Sequence, residues 1–438
     1  MKTKSIRRYT FLLACVLISG DAAQLFGANM RSFIESVRLK AAVVYVGSVE
    51  EVRVLQRTKF DIKAKAVVDI KAVTQEETEL RDGRIVRSES PLNLEMPFST
   101  LDSFITPAKS FYVRTHFPIP AIDRNAWWLH VDGEVEKPFA IDYEELMTLA
   151  SVTTPATLEC AGNNRNFLEP KVKGVQWRLG AVGNAEWTGV PLSVLLDRAT
   201  VKPNAWEVVL EGADGGRLED PKSPPCELKF ARSIPVEKAR RDVLLAYKMK
   251  GEDLPPEHGF PLRAIVPGWY AMASVKWLQR IIITGRPFTG YYQTLDYAYW
   301  QRTEYAHWQR GEGIAELTPL TEMQVKAEVA HPAEGETVPA NTSVRVRGAA
   351  WACDAEITKV ELSTDGGATW NDAKLLGESN SNAWRLWEFT WQTPSQPGKQ
   401  TLMARATDSL GRTQPVLRDP DRGTYMINHL LPIEVEVR

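Results

Sequence analysis

Cys160 stands in Leu158-Glu159-Cys160-Ala161-Gly162-Asn163-Asn164-Arg165: a cysteine, a small glycine-containing turn and, five residues on, an arginine. A nearby cation keeps a thiol ionised at neutral pH, and the thiolate is the form that ligates a metal or attacks an electrophile. By itself the pattern is weak, because a single cysteine more often serves as a small buried apolar residue. The other ligating residue types narrow the chemistry. The four cysteines, Cys15, Cys160, Cys226 and Cys353, are too dispersed for a CxxC zinc or iron–sulfur site. They make no disulfide framework for a chain of this length, and nothing local favours a Cys226–Cys353 bridge. The six histidines form no HExxH or HxH spacing. Cys160 therefore suffices for a metal only if a cofactor supplies the other sulfurs.

The elements that must position Cys160 follow from hydrophobic periodicity. Ala156–Glu159 is expected to be a strand leading into the cysteine turn. Trp127–Val135, Trp206–Glu211, Asp242–Lys248 and Leu262–Val266 read as further strands, and Asp142–Ala150 and Pro191–Arg198 as short helices. The loops between them are long and rich in Gly, Pro and Asn, where functional residues usually lie. Strands and short helices together predict an α+β, mixed α/β domain over residues 88–320. No GxGxxG turn follows its first strand, so a nicotinamide-binding fold is not supported. From Met323 the pattern changes to short, evenly spaced strands: Val325–Val329, Ser343–Trp351, Lys359–Ser363, Phe389–Gln392 and Thr401–Thr407. Turn signals such as Asp365-Gly366-Gly367 separate them, which predicts an all-β immunoglobulin-like sandwich over 323–438. Trp351, Trp370, Trp384, Trp387 and Trp391 fall in this stretch, more than a domain of about 115 residues is expected to bury, so some should face a partner. Residues 24–87, with alternating stretches at Val43–Val54 and Phe60–Val73, form an extension without a functional reading.

Composition adds bounds. The 438 residues are 44% hydrophobic and 25% charged, ordinary for a globular chain with two or three domains. A net charge of −2 gives no reason to expect nucleic acid or an anionic membrane as partner. An anionic substrate would have to be recognised by local arginines. Residues 1–23 read as an export signal: Lys2, Lys4, Arg7 and Arg8 precede the apolar run Phe11–Ile18, which is too short to span a membrane. Ser5-Ile-Arg7-Arg8-Tyr-Thr-Phe-Leu resembles a twin-arginine signal with imperfect spacing, and so implies a bacterial periplasmic location. Leu13-Ala14-Cys15 is a weaker match to a lipobox.

Seven segments together resemble the sulfite oxidase family of molybdenum enzymes. They are Phe111-Tyr-Val-Arg114-Thr-His116-Phe-Pro-Ile-Pro120, the cysteine segment, Val172-Lys173-Gly174-Val-Gln-Trp177, His258-Gly-Phe-Pro-Leu-Arg263-Ala-Ile-Val-Pro267-Gly268, Ser274-Val275-Lys276-Trp277-Leu278, Trp300-Gln-Arg-Thr-Glu-Tyr305 and Ala383-Trp-Arg-Leu-Trp-Glu388. The resemblance runs from about Ser88 to the C-terminus. It implies that a pterin dithiolene carries molybdenum and that Cys160 is the protein's metal ligand, soft thiolate suiting a sulfur-ligated centre. Arg114, Arg165 and Lys173 become the anion-binding set, because a guanidinium offers a planar fork to two oxygens. Tyr305 becomes the proton-handling phenol and Arg422 a substrate-pocket arginine. Arg114, Thr115, His116, Cys160, Asp214, His258, Arg263, Ser274, Val275 and Lys276 fall to the pterin. The chain departs from the family at Asn164, where relatives often carry a second arginine. The implied reaction is oxidation of sulfite to sulfate by oxo transfer. No CxxCH and no segment like a cytochrome b5 or flavin domain is found, so electrons would leave to a separate acceptor such as a c-type cytochrome. The family's last domain implies a homodimer. Reduction of nitrate or of a sulfoxide on the same scaffold is the alternative. A cofactor-free binding protein, the third reading, would have no need to keep Cys160 and the pterin residues.

Overall fold

The computed structural model describes residues 80–218, 226–302 and 315–438, preceded by four short strands, Phe11–Ala14, Val44–Gly47, Arg53–Val54 and Ala66–Val67. The chain divides into two compact units, Met1–Thr78 and Glu79–Arg438. In the first, Phe11–Ala14 pairs antiparallel with Val44–Gly47, and Arg53–Val54 with Ala66–Val67. Apart from Phe11–Ala14, the expected export signal lies outside the described residues, as do Cys15 and Tyr305.

The strand before Cys160 runs over Val152–Glu159, exposed at its start and buried over its last four residues. It pairs antiparallel with Val182–Pro191, which pairs with Leu244–Met249. That strand also pairs with Arg263–Ile265, so the Cys160 turn and Arg263 are carried by one sheet. A second sheet has the order Phe139–Asp142, Trp128–Gly133, Leu278–Thr284, Glu207–Gly216 and Leu228–Pro235. Its pairings are antiparallel except that between Leu278–Thr284 and Trp128–Gly133. A third sheet, Leu80–Arg81, Arg84–Glu89, Leu92–Glu95 and Val113–Arg114, delivers Arg114.

Helix is scarcer than the α+β expectation. Among the described residues the α-helices are Tyr143–Thr148, Leu192–Ala199 and Val236–Arg241, none longer than 8 residues. Mostly antiparallel neighbours need no helical crossover, which leaves the helices as short covers. Tyr143–Thr148 starts where the Asp142 side chain accepts the Glu145 N–H at 2.8 Å. Leu192–Ala199 buries Leu192, Leu195, Leu196 and Ala199 on one face, the i, i+3, i+4 pattern of a core-facing stripe.

Past residue 323 two sheets face each other. One holds Lys326–His331, Ser343–Trp351, Arg385–Gln392 and Lys374–Leu376; the other Thr337–Val338, Ile433–Val437, Gly398–Asp408, Ile357–Ser363 and Asn371–Asp372. Val346, Ala350, Trp387 and Trp391 of the first share a core with Val360, Leu362, Leu402, Ala406 and Val435 of the second. The expectation about surplus tryptophans fails. Trp351, Trp384, Trp387 and Trp391 are all buried, and Trp370 is half-covered with the Arg405 guanidinium 4.3 Å from its ring. The count went wrong because Trp351 and Trp384 belong to the larger core, packed with residues from before position 320. The Trp384 indole N–H donates to Phe104 O at 2.8 Å.

Candidate active site

The end of Val152–Glu159 delivers Cys160 into a turn held at both sides. The Cys160 N–H donates to Ala181 O at 2.9 Å, and Asn163 N–H closes the turn on Cys160 O at 2.8 Å. The thiol lies in the wall of a cavity of about 650 Å3, solvent mouth included. Lining it with Cys160 are Arg114, Thr115, His116, Asp214, His258, Arg263, Ser274 and Lys276. Eight of the nine non-cysteine positions assigned to the pterin thus meet at one place, although Arg114, Asp214 and Arg263 come from three different sheets and the others from loops and turns. Val275 does not; it is a core residue between Ser274 and Lys276 whose carbonyl accepts the Ala264 N–H at 2.8 Å.

The walls are cationic and tightly framed. Arg263 donates to His258 O at 3.0 Å and Ser274 O at 3.1 Å, with its guanidinium 5.0 Å from the Trp187 ring. Its Nε is buried and has no partner. Gly259, between His258 and Arg263, has φ +108°, and a Cβ there would press at 3.1 Å on both Arg263 and Lys276. Lys276 donates to Glu257 O at 2.9 Å and lies 4.2 Å from the Trp277 ring. Across from it Asp214 Oδ1 is buried without a partner. Burial moves both groups toward neutrality: the Asp214 carboxyl goes up, with Lys276 opposing, and the Lys276 ammonium goes down, with Arg263 adding to the effect. His258 is held well below the usual histidine range by burial and then by Arg263 and Lys276. It is therefore neutral, and its Nε2 lies 3.3 Å from Ala108 O.

Burial also pushes the Cys160 thiol up, while Arg114 and then Arg165 pull it down. The cations temper desolvation without overcoming it. A bound metal would decide the ionisation, since coordination deprotonates a thiol outright. Among the described residues no three His, Cys, Asp or Glu side chains converge to hold an ion. The donor set fits a pterin cofactor. Two guanidiniums, one with a free N–H, a lysine drawn toward neutrality, two neutral histidines and a carboxyl with a free oxygen face one cavity, suited to a phosphate and to ring edges of mixed polarity.

The expected anion-binding set is divided. Arg114 is in the cavity wall, its Nη1 donating to Thr115 O and to Asn93 Oδ1 at 3.3 Å. Arg165 packs beside the cavity, almost wholly buried: Nε donates to Thr424 Oγ1 at 2.7 Å, Nη1 to Val175 O at 2.8 Å, and Tyr425 lies under its guanidinium at 5.2 Å. Gly162 and Gly174 flank that guanidinium so closely that a Cβ on either would collide with it. Lys173 contributes a backbone carbonyl, which accepts from Thr424 Oγ1 at 3.0 Å. Arg422 lines a separate hollow with Tyr299, Trp300 and Arg418, its guanidinium 4.6 Å from the Tyr299 ring.

Sequence reading passed over Tyr297. It lines the cavity with Cys160, and its hydroxyl is 2.7 Å from His116 Nε2. His116 is stacked on Phe230 at 4.7 Å and kept neutral by burial and by Arg114 and Lys276. Burial also raises the Tyr297 phenol, which stays protonated at neutral pH. The residue follows a π-helical turn, Tyr292–Asp296, tied down by Arg232, which donates to the carbonyls of Tyr292 and Leu320. The π-turn, a frequent mark of functional sites, shows only in the fold, because a stretch with tyrosines at 291, 292, 297, 299 and 305 has no period to reveal it.

Two family descriptions match the chain: an oxidoreductase molybdopterin binding domain over residues 116–292 and a Mo-co oxidoreductase dimerisation domain over 318–424. Sulfite oxidase of Gallus gallus is 32% identical over 346 residues, 76% of this chain and 73% of that one. Nitrate reductase [NADH] of Solanum lycopersicum is 32% identical over 354 residues, 74% of this chain and 38% of that one. The chain spans 61% of the length of the rat and mouse mitochondrial sulfite oxidases. Among solved structures, the sulfane dehydrogenase SoxCD of Paracoccus pantotrophus superposes with a TM-score of 0.68 at 28% identity, over 83% of this chain and 92% of that one. With the thiol, the cationic walls and the unpaired polar atoms in one cavity, these relationships make the chain an enzyme of the sulfite oxidase family of molybdopterin-dependent oxidoreductases.

Proposed function

We propose that the enzyme oxidises sulfite to sulfate and passes the electrons to a separate acceptor, a c-type cytochrome. The observation that carries this reading is the shared cavity of Cys160, Arg114 and the Tyr297–His116 pair. Molybdopterin, when bound, supplies the oxo transfer and takes up two electrons. His258, Arg263, Lys276 and Asp214 would hold its pterin and phosphate, and Cys160 its metal. The balance is sulfite plus water giving sulfate, two protons and two electrons. Arg114 attracts the oxyanion to the thiol's side of the cavity, where low dielectric strengthens a single cation. Protonated Tyr297 offers its O–H to an oxygen in the cavity, and neutral His116 fixes the phenol and takes part in moving the released proton. A steady-state comparison of sulfite, thiosulfate, nitrate and a sulfoxide on molybdenum-loaded protein tests this. Sulfite should give the highest kcat/KM with cytochrome c as acceptor, and faster nitrate-dependent oxidation of a reduced dye would overturn it.

A second reading is favoured by SoxCD, whose chain is spanned over 92% of its length: oxidation of a sulfane sulfur. A persulfide substrate in the same assay distinguishes the two. We also propose catalytic and C-terminal domains over 88–320 and 323–438, the latter an immunoglobulin-like sandwich. The edge pairing of Thr337–Val338 with Ile433–Val437, parallel in an otherwise antiparallel sheet, supports that class. The match to a dimerisation domain supports a homodimer formed through it, testable by light scattering. The basic, apolar start supports export to the bacterial periplasm, testable by fractionation.

A further inference from the structure

The residue before Cys160 does not face the cavity. Glu159 is buried and its carboxylate runs into the C-terminal part of the chain: Oε1 accepts Lys326 Nζ at 2.7 Å and Oε2 accepts the Trp351 indole N–H at 2.9 Å. Lys326, only 2% exposed, also bonds the side-chain oxygen of Asn164 and lies 3.1 Å from Glu328 Oε1. Asn163 completes the lattice. Its amide nitrogen reaches Glu159 at 3.3 Å, and its oxygen accepts the N–H of Ala181, whose own carbonyl holds Cys160 N–H.

One ammonium thus touches both ends of the cysteine turn. Asn164 sits at φ +71°, with its side-chain nitrogen spent on Arg178 O at 3.1 Å, so its oxygen is the atom left to fix that left-handed residue. Arg165 follows directly. A buried cluster with one carboxylate more than it has ammonium groups is a poor choice for stability alone, since well-packed apolar residues usually serve as well or better. What it provides is a fixed geometry. We propose that Lys326 is the positioning residue by which the C-terminal part of the chain sets the Cys160 turn, its ammonium tying Glu159 at one end of the turn to Asn164 at the other. The proposal deepens the reading of Cys160 as metal ligand and Arg165 as its neighbouring cation.

The test is amide hydrogen exchange on the full chain, which needs no substrate and therefore stands apart from the sulfite reading. In Lys326→Met the amides of residues 160–165 should exchange about tenfold faster than in the parent, with the core of residues 343–351 unchanged. Lys326→Arg, which keeps the charge, should return them to within about twofold. Lys326→Met with Glu328→Gln removes the tether while keeping the buried net charge above about pH 7, where Glu328 is ionised, and should show the same local rise; it carries the test if Lys326→Met alone fails to fold. Unchanged exchange at 160–165 in folded variants lacking Lys326, or no restoration by Lys326→Arg, would overturn the proposal.

Discussion

On the cavity side of the Cys160 turn, Asp214 and Arg263 bury polar atoms that bond to nothing; on the other side, the oxygens of Glu159 and the ammonium of Lys326 are all engaged. An unpaired buried polar atom costs about 1–3 kcal/mol, so the first arrangement is one that a ligand with matching polar groups would stabilise. The second is nearly complete within the chain, Glu328 Oε2 being the atom of its carboxylates left without a partner. The difference separates residues whose polar atoms are open to a ligand from residues engaged with one another, although both sets are charged, buried and close to the same cysteine.

That contrast can be broken hardest at the turn itself. Cys160→Ser is expected to abolish turnover while thermal unfolding stays near that of the parent, because a protonated hydroxyl does not replace a soft anionic ligand. Equal activity at equal molybdenum loading would remove Cys160 from the site. Next comes Tyr297→Phe, which keeps the ring and loses the hydroxyl. It should lower kcat about a hundredfold with little change in KM, as stopped-flow and steady-state rates would show. Arg165→Gln should cost about 1.5–3 kcal/mol in kcat/KM for an anionic substrate, chiefly through KM. Its guanidinium is also clamped by Thr424 and Val175, so a matching loss of thermal stability with unchanged KM would move it to the structural side.

The smallest effect sharpens the far side. Burial raises the Glu328 carboxyl from the ordinary 4.5 to about 7, with Lys326 opposing. The folded protein therefore holds this proton more tightly than the unfolded chain, and the ionised carboxylate weakens the fold increasingly as pH rises from about 4.5 through about 7. Glu328→Gln should be close to neutral at pH 5 and stabilising by about 1–3 kcal/mol at pH 8, read by denaturant unfolding. A gain that is equal at both values would show that Glu328 does not titrate in that window.

Sequence pattern is most informative where structure is local. The strand into Cys160, the strand Ser343–Trp351 and the loop carrying His258 and Arg263 each show their periodicity or turn residues within a dozen positions. Val182–Pro191 hides its strand behind Gly183, Gly189 and Pro191, which read as loop until a neighbour on each side pairs it. The contacts that decide roles are more remote still. Arg165 meets Thr424 across 259 positions and Lys326 meets Glu159 across 167, so neither spacing has a local signature. The tryptophans teach the same point, since Trp351 and Trp384 could be judged surplus only while the core they share with earlier residues was unseen.

The clamp on Arg165 also sets an order of events in the cell. Thr424 and Tyr425, which fix its guanidinium, and Met426, whose N–H holds Ala161 O at 2.9 Å, are translated more than 250 residues after the cysteine turn. A ribosome that has finished the cavity walls has not yet made the piece that locks them. Cofactor loading of a fully formed pocket is therefore a post-translational step, and a nascent chain stalled short of Thr424 would present the thiol with its neighbouring arginine still unanchored.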